Sequence, residues 1–274
     1  MLLFGSGALI ALLAPAKARQ SLARRFRIAT RIAIAIAALT TVLMLPLAAA
    51  SDGDGLSGFD PALLYAMLGA RIGEVWVLRV ALAGVLAALA LAGRDAASRA
   101  LLIASGALLT TLALTGHAAM RGGWAGDAQQ ANQALHLLCA AFWLGGLAPL
   151  LLTLRDLGGA PGNRDAMDAL RRYSLVGQIA VAFVIVTGAI NTRLILHAWP
   201  LDWRSPYQGL LAAKIALVGP MAVVALVNRY RLAPLLRDDA RRAAAKLARN
   251  VWIELALGGC VLALVTVFAT LDPA

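Results

Sequence analysis

Between Thr115 and Leu147 the chain reads T-G-H-A-A-M, a short polar loop with Trp124, then H-L-L-C-A-A-F-W-L-G-G-L. The stretch holds two of the three histidines, His117 and His136, one of the two cysteines, Cys139, and Met120. On a helix of about 3.6 residues per turn, His136, Cys139, Ala140, Trp143 and Leu147 fall on one face. Imidazole, thiolate and thioether form a ligand set for a copper ion, Cu(I) or Cu(II), with zinc and haem iron as competitors. One apolar segment ends at His117 and the next begins just before His136. Both rings are therefore expected at one edge of a membrane, on neighbouring antiparallel helices. Asn132, one turn before His136, is expected to orient that ring through its free N–H. His197 lies at the same edge, as a further ligand or as an interfacial anchor beside Trp199; Trp143 reads as packing or as an anchor.

Such a ligand set needs a scaffold, and the composition says which kind. The chain has 274 residues, 61% of them hydrophobic and 14% charged, with a mean hydropathy of +0.78. Soluble domains carry about 25% charged residues. The expected fold is all-α, a polytopic transmembrane helical bundle forming a single domain over 1–274 in the lipid bilayer. Apolar segments predict spans at 2–16, 32–50, 72–93, 100–116, 131–154, 173–198, 209–227 and 252–271. The first is shorter than the roughly 20 residues a span needs. Its positive charges follow the apolar run rather than precede it, which favours a short first helix over a signal peptide.

The segments between spans read as a basic linker (17–31), a Gly/Asp turn loop (51–60) and a short interfacial piece (62–69). A polar linker (155–172) and a basic connector (229–249) follow. Runs such as A-L-A-G-V-L-A-A-L-A-L-A-G let helices approach closely where lipid offers no drive for association.

The connectors at 17–31, 94–99, 155–172 and 229–249 hold six, two, four and seven basic residues, 19 of the 25 in the chain. The opposite loops hold Arg71, Arg121 and Arg204. The positive-inside rule puts the first set in the cytoplasm and both termini, with His117, Met120, His136 and His197, on the outer, periplasmic side. This topology accounts for the formal charge of +11 without nucleic acid as a partner.

Charges within spans are costly and normally face the bundle interior. Glu74 is expected to pair with Arg79 or Lys214, or these three to line a polar path below the metal site. Asn191, in a later span, is expected on the same path. Glu254 and Asn228 could line an exit, and snorkelling of Glu254 with Arg249 is the alternative. There is no phosphate-binding loop, nucleophile–base constellation or H-E-x-x-H, so ATP-driven pumping by this chain and enzyme chemistry are not expected.

Four stretches carry a resemblance to a known family. They are A-R-I-G-E-V-W-V-L-R-V-A-L around Glu74 and Arg79; T-G-H-A with H-L-L-C-A-A-F-W-L-G-G-L; R-R-Y-S through V-T-G-A-I-N, Arg171 to Asn191; and Y-Q-G-L-L-A-A-K-I-A-L-V followed by A-L-V-N-R, Tyr207 to Arg229. From about Arg24 to its end the chain resembles the copper-resistance D family (CopD) of bacterial inner-membrane proteins. The resemblance implies a multi-spanning protein of copper homeostasis that moves copper inward, alongside a periplasmic copper-carrier protein. It puts His117 and His136 on the family's histidine positions, and Trp143, Gly145 and Gly146 on its helix motif. The resemblance also implies a full first span with polar residues, and segment 2–16 is shorter than that. The residues leave two other readings open. One is a redox protein in which His117 and His136 clamp a haem b; the other is a non-transporting membrane anchor for the copper carrier.

Overall fold

The computed structural model describes residues 1–51, 61–116, 122–159, 164–196, 199, 202, 204–268 and 271. The described chain is all-α: α1 (Leu2–Ala8, continued by a π-helical turn to Leu13), α2 (Ala16–Ser51), α3 (Pro61–Leu68), α4 (Arg71–Leu91), α5 (Arg99–Thr110, then a 3-10 turn to Leu114), α6 (Gly123–Gly159), α7 (Arg164–Leu196), α8 (Pro206–Val227) and α9 (Ala240–Phe268). Among the described residues six helices are long and apolar enough to cross a membrane: α2, α4, α6, α7, α8 with its extension, and α9. Leu2–Leu13 and Arg99–Leu114 are apolar but shorter. These eight apolar helices fall on the eight expected segments, of which six have the length of a span.

The helices overrun the boundaries set by hydropathy. The expected basic linker 17–31 is the first half of α2, because long basic side chains are good helix formers that can snorkel. Arg25, within it, makes an ion pair with Asp156 of α6 at 2.8 Å. The polar loop before His136 is largely helical, since α6 begins at Gly123. The polar linker 155–172 is helical up to Gly159 and again from Arg164. The connector 229–249 contains a π-helical turn (Asn228–Leu232), a 3-10 turn (Pro234–Arg237) and the start of α9. The short interfacial piece is α3. The Gly/Asp loop lies outside the described residues from 52 to 60.

Helix α6 is the hub, packed against α7, α1, α9 and α5. Over half of its apolar window is buried (56%), against 28% or less in the other five long helices. At 37 residues it is about 55 Å long, more than the roughly 30 Å hydrocarbon core. Helix α1 crosses it glycine on glycine: a Cβ on Gly145 would lie 2.6 Å from the Met1 carbonyl and 3.0 Å from Gly5 Cα. Only glycine admits that approach. The outward faces are apolar too; Ile28, Ile32, Ile36 and Leu39 form an exposed stripe on α2 at helical spacing, as expected of a surface against lipid. Helix α8 packs on α9 but barely meets α7, which leaves a cleft between α7 and α8 backed by α6.

Candidate functional site

Two polar layers interrupt the apolar interior along α6. The upper is built on His136. Its Nδ1 lies 2.9 Å from Thr187 Oγ1 on α7. The Thr187 hydroxyl also donates to the Phe183 carbonyl one turn back, a bond of 2.5 Å. A hydroxyl has one proton; with that proton on the carbonyl, Thr187 accepts from Nδ1–H. The tautomer so selected leaves the lone pair on Nε2. The ring packs over Gly188, where a Cβ would sit 3.3 Å from its Cε1.

Asn132 is close, but it does not orient the imidazole. Its amide donates to the Thr187 carbonyl (3.0 Å) and to Asn191 Oδ1 (2.8 Å), and Asn191 donates to Gln133 Oε1 (2.7 Å). Thr187 and Asn191 are four residues apart on one face of α7, so Asn132 meets backbone and amide before it can meet the ring. The amides clamp α6 to α7, and the threonine holds the histidine. The V-T-G-A-I-N stretch carried this signal, two polar residues at i, i+4 in an apolar helix, and Thr187 is the one that sequence reasoning passed over.

His136 lines a cleft of about 350 Å³ between α6, α7 and α8. Its walls are mainly apolar, with Ile185 and Val184 on α7 and Leu211, Ile215 and Val218 on α8. Its polar and soft groups are His136, Thr192, Lys214 and Met221, and Trp199 and Trp143 also line it. Cys139 is half-buried on α6 and is not in this wall. Among the described residues no three His, Cys, Asp or Glu side chains are gathered as a metal site. His117, Met120 and His197 lie outside the described residues.

Trp143 sits two turns below His136 on α6 and lines both this cleft and a smaller cavity of about 60 Å³ beneath it. The lower layer begins at its indole. Trp143 Nε1 donates to Glu254 Oε1 (3.3 Å), and Asn228 Nδ2 donates to Glu254 Oε2 (3.1 Å). Asn250 donates to Asn228 Oδ1 (2.8 Å), and Tyr173 OH to the Trp143 carbonyl (2.6 Å). Glu254 is 2% exposed, whereas Arg249 is exposed; the acid is held by neutral donors and does not snorkel with Arg249. The two ion pairs among the described residues are Arg25–Asp156 and Arg242–Asp239.

The expected pairing of Glu74 with Arg79 or Lys214 is not formed. Five residues along a helix is about 140° around it, so Glu74 is exposed while Arg79 is buried. Arg79 spreads its donors over Thr111 Oγ1 (3.0 Å), the Thr111 carbonyl (2.9 Å), Thr115 Oγ1 (2.8 Å) and Met44 Sδ (2.9 Å). Buried polar groups find a partner, and here threonine and backbone serve in place of a carboxylate. Arg79 thereby fixes Thr115, two residues before His117.

These observations define a class: a multi-pass α-helical membrane protein with two buried polar layers around a central helix. The chain belongs to the copper resistance protein D family. The family's "Copper resistance protein D-like, N-terminal domain" matches residues 1–127, and "Copper resistance protein D" matches 167–268. The chain is similar to "Inner membrane protein YebZ" of Escherichia coli strain K12, 34% identical over 274 residues, spanning 100% of this chain and 94% of the relative. It is 29% identical over 219 residues to "Copper resistance protein D" of Pseudomonas syringae pv. tomato, covering 74% of this chain and 69% of that one. It is also 29% identical over 271 residues to "Copper transport protein CutJ" of Bacillus subtilis strain 168, covering 93% of this chain and 47% of the relative. The family match begins at residue 1, not at Arg24, so the short first helix lies inside the family's own region. No solved structure matches the chain.

Proposed function

We propose that the chain carries copper inward across the bacterial inner membrane, with His136 as an entry ligand at the outer end of the cleft. The observation that carries this reading is the His136–Thr187 bond. It frees Nε2 in a side chain that lines the cleft, and Trp143 lines both that cleft and the smaller cavity lined by Glu254 and Asn228. The names of the relatives support copper as the cargo. The charge of the connectors supports an orientation with the basic segments cytoplasmic and both termini periplasmic. His117, Met120, Cys139 and His197 are proposed as further outer ligands, and residues 1–274 as one bundle.

A conducting path must bind its ion well enough to admit it and weakly enough to release it. Among the described residues that line the cleft, His136 is the one imidazole and no thiolate joins it, a sparse ligand set that favours passage over storage. Import and delivery from a periplasmic copper carrier are the readings the family resemblance supports. No observation on the described residues favours haem b over copper. Copper uptake, measured by mass spectrometry in cells with and without the chain, tests the function. Uptake should rise with the chain and return to background with His136→Ala; equal uptake with and without the chain would refute it.

A further inference from the structure

Among the described residues Glu254 is the one carboxyl side chain that is buried, and it takes part in neither ion pair. Its two oxygens accept from Trp143 Nε1 (3.3 Å) and Asn228 Nδ2 (3.1 Å), both neutral donors. A carboxylate has about four lone-pair sites, so half of its accepting capacity is unused. The titratable and charged groups on the elements packed around it are engaged elsewhere. Tyr173 donates its proton to the Trp143 carbonyl (2.6 Å). Arg229 donates to Ser174 Oγ (3.2 Å) and lies 5.8 Å from the Tyr230 ring, and Arg249 on α9 is exposed. Lys214 and His136 line the upper cleft and not the lower cavity. A carboxylate without a counter-charge is costly at this depth, and a proton removes that cost.

The lower cavity offers the proton a route. Its volume of about 60 Å³ has room for about two waters, and its lining joins the buried Glu254 to the half-buried Ser174, Gln178 and Asn228. Ser174 is two residues from the exposed Arg172, and Glu254 is five from the exposed Arg249. The cavity therefore lies within about 8 Å, along α7 and α9, of their basic ends. Tyr230, exposed at the same end, has its hydroxyl 3.5 Å from Gln178 Oε1.

We propose that Glu254 is a proton-binding site, supplied from the basic end past Ser174 and Gln178, at which a monovalent cation takes the proton's place. The inference rests on the reading of a copper path and adds a second ligand, the proton, at the lower layer. Carboxylate with a proton and carboxylate with Cu(I) are both neutral, so the layer carries one positive charge in either state. In the exchange the O–H bond breaks, the proton passes to water in the cavity, and the carboxylate oxygen takes up the ion; no electron moves. Carboxylate oxygen suits harder ions than Cu(I), so the ion is held loosely and a returning proton releases it. Acid at the basic face keeps the site filled with protons and slows passage.

The test uses the purified whole chain, without oxygen, and infrared difference spectra through a pH titration. A protonated carboxyl has a carbonyl stretch that the ionised form lacks. Raising the pH should remove this band from the unmodified chain. Glu254→Gln should lack it, and Glu254→Asp should shift it. Saturating Cu(I), added at a pH where the band is present, should remove the same band. It should also release about one proton more per chain than it does from Glu254→Gln. Gln178→Leu should slow the shift of the band on transfer to heavy water; an unchanged rate would refute supply past Gln178. If the unmodified chain and Glu254→Gln give the same spectra between about pH 5 and pH 9, the carboxyl does not exchange a proton there and the inference fails. If copper binds in a His136-dependent way but leaves the band in place, the exchange fails while the entry reading stands. If His136→Ala binds copper and loses the band as the unmodified chain does, the entry reading is overturned and the exchange at Glu254 is upheld. Should Glu254→Gln not fold, the shift in Glu254→Asp decides the assignment.

Discussion

His136 Nδ1 and Thr187 Oγ1 meet at 2.9 Å across the α6–α7 interface, and the threonine hydroxyl is itself committed to the Phe183 carbonyl. The arrangement resembles the backing of metal-bound histidines in general, where a partner on one ring nitrogen fixes the tautomer presented by the other. Thr187→Val keeps the shape and removes the acceptor. Copper affinity at the outer site should fall about 10- to 100-fold, while Thr187→Ser restores most of it. Isothermal titration of the purified protein measures this; equal affinities for all three would mean that the hydroxyl does not position the ring.

The lower layer makes a different demand. Glu254→Gln keeps the side chain's volume but replaces one of the two oxygens that accept from Trp143 and Asn228 with a donor. If the lower layer receives the ion, the change should leave copper binding at the outer site unchanged and slow uptake by at least about tenfold, because an oxygen ligand is lost there. Trp143→Phe removes the 3.3 Å bond to Glu254 and should slow uptake less. Uptake by Glu254→Gln at the unmodified rate would exclude the carboxylate from the path.

Arg79 and Glu74 are predicted to behave independently. Glu74→Gln should change the melting temperature little, because the residue is exposed and outside both ion pairs. Arg79→Leu removes a buried charge together with its desolvation cost, so global stability should shift by only about 1–2 kcal/mol. The backbone amides of Thr115 and Gly116 should exchange hydrogen faster, having lost their anchor. A double-variant cycle with a coupling above about 0.5 kcal/mol would mean the two side chains do meet.

Gly145 is predicted to resist replacement at the α1–α6 crossing, as is Gly5, whose Cβ would lie 2.6 Å from Gly145 Cα. Gly145→Val must push α1 away from Met1 and Gly5, and overpacking of this kind costs about 1–3 kcal/mol or more. Thermal unfolding in detergent should show a clear drop. Gly84→Val, where a Cβ would meet nothing within 4 Å, is the control. Equal melting of the two variants would argue that α1 does not sit against α6.

The proposed orientation is tested with single cysteines at Asp54 and Asp239 in a background lacking Cys139 and Cys260. In intact spheroplasts an impermeant thiol reagent should label position 54 and spare 239. Labelling at 239 would reverse the topology.

Much of this was legible in the chain alone. Length of apolar runs and scarcity of charge are enough to demand a helical membrane bundle, because lipid leaves backbone polar groups no partner but their own helix. The same costliness of buried polar groups singled out Glu74, Arg79 and Lys214 as interior residues; Arg79 is buried as expected and Glu74 is exposed, and the motifs around them indicated the family. Helix ends were less legible. Hydropathy marks where apolar surface stops, whereas the backbone of α2 and α6 continues as helix through Arg24, Arg25 and Asp127, whose side chains can reach water.

Only the tertiary structure decided the partners. Spacing along the chain says which residues share a face, but not what the facing helix presents at that height. Glu74 and Arg79 are near in sequence and point apart around α4. Trp143 and Glu254 are over a hundred residues apart and share a hydrogen bond because α6 and α9 pack at that level. Asn132 was close enough to serve His136, yet the register of α7 offers it the Thr187 carbonyl and Asn191 first. The presence of Lys214 in the His136 cleft has the same origin. It follows from how α8 leans on α9 and away from α7, a choice made by side-chain packing between distant segments.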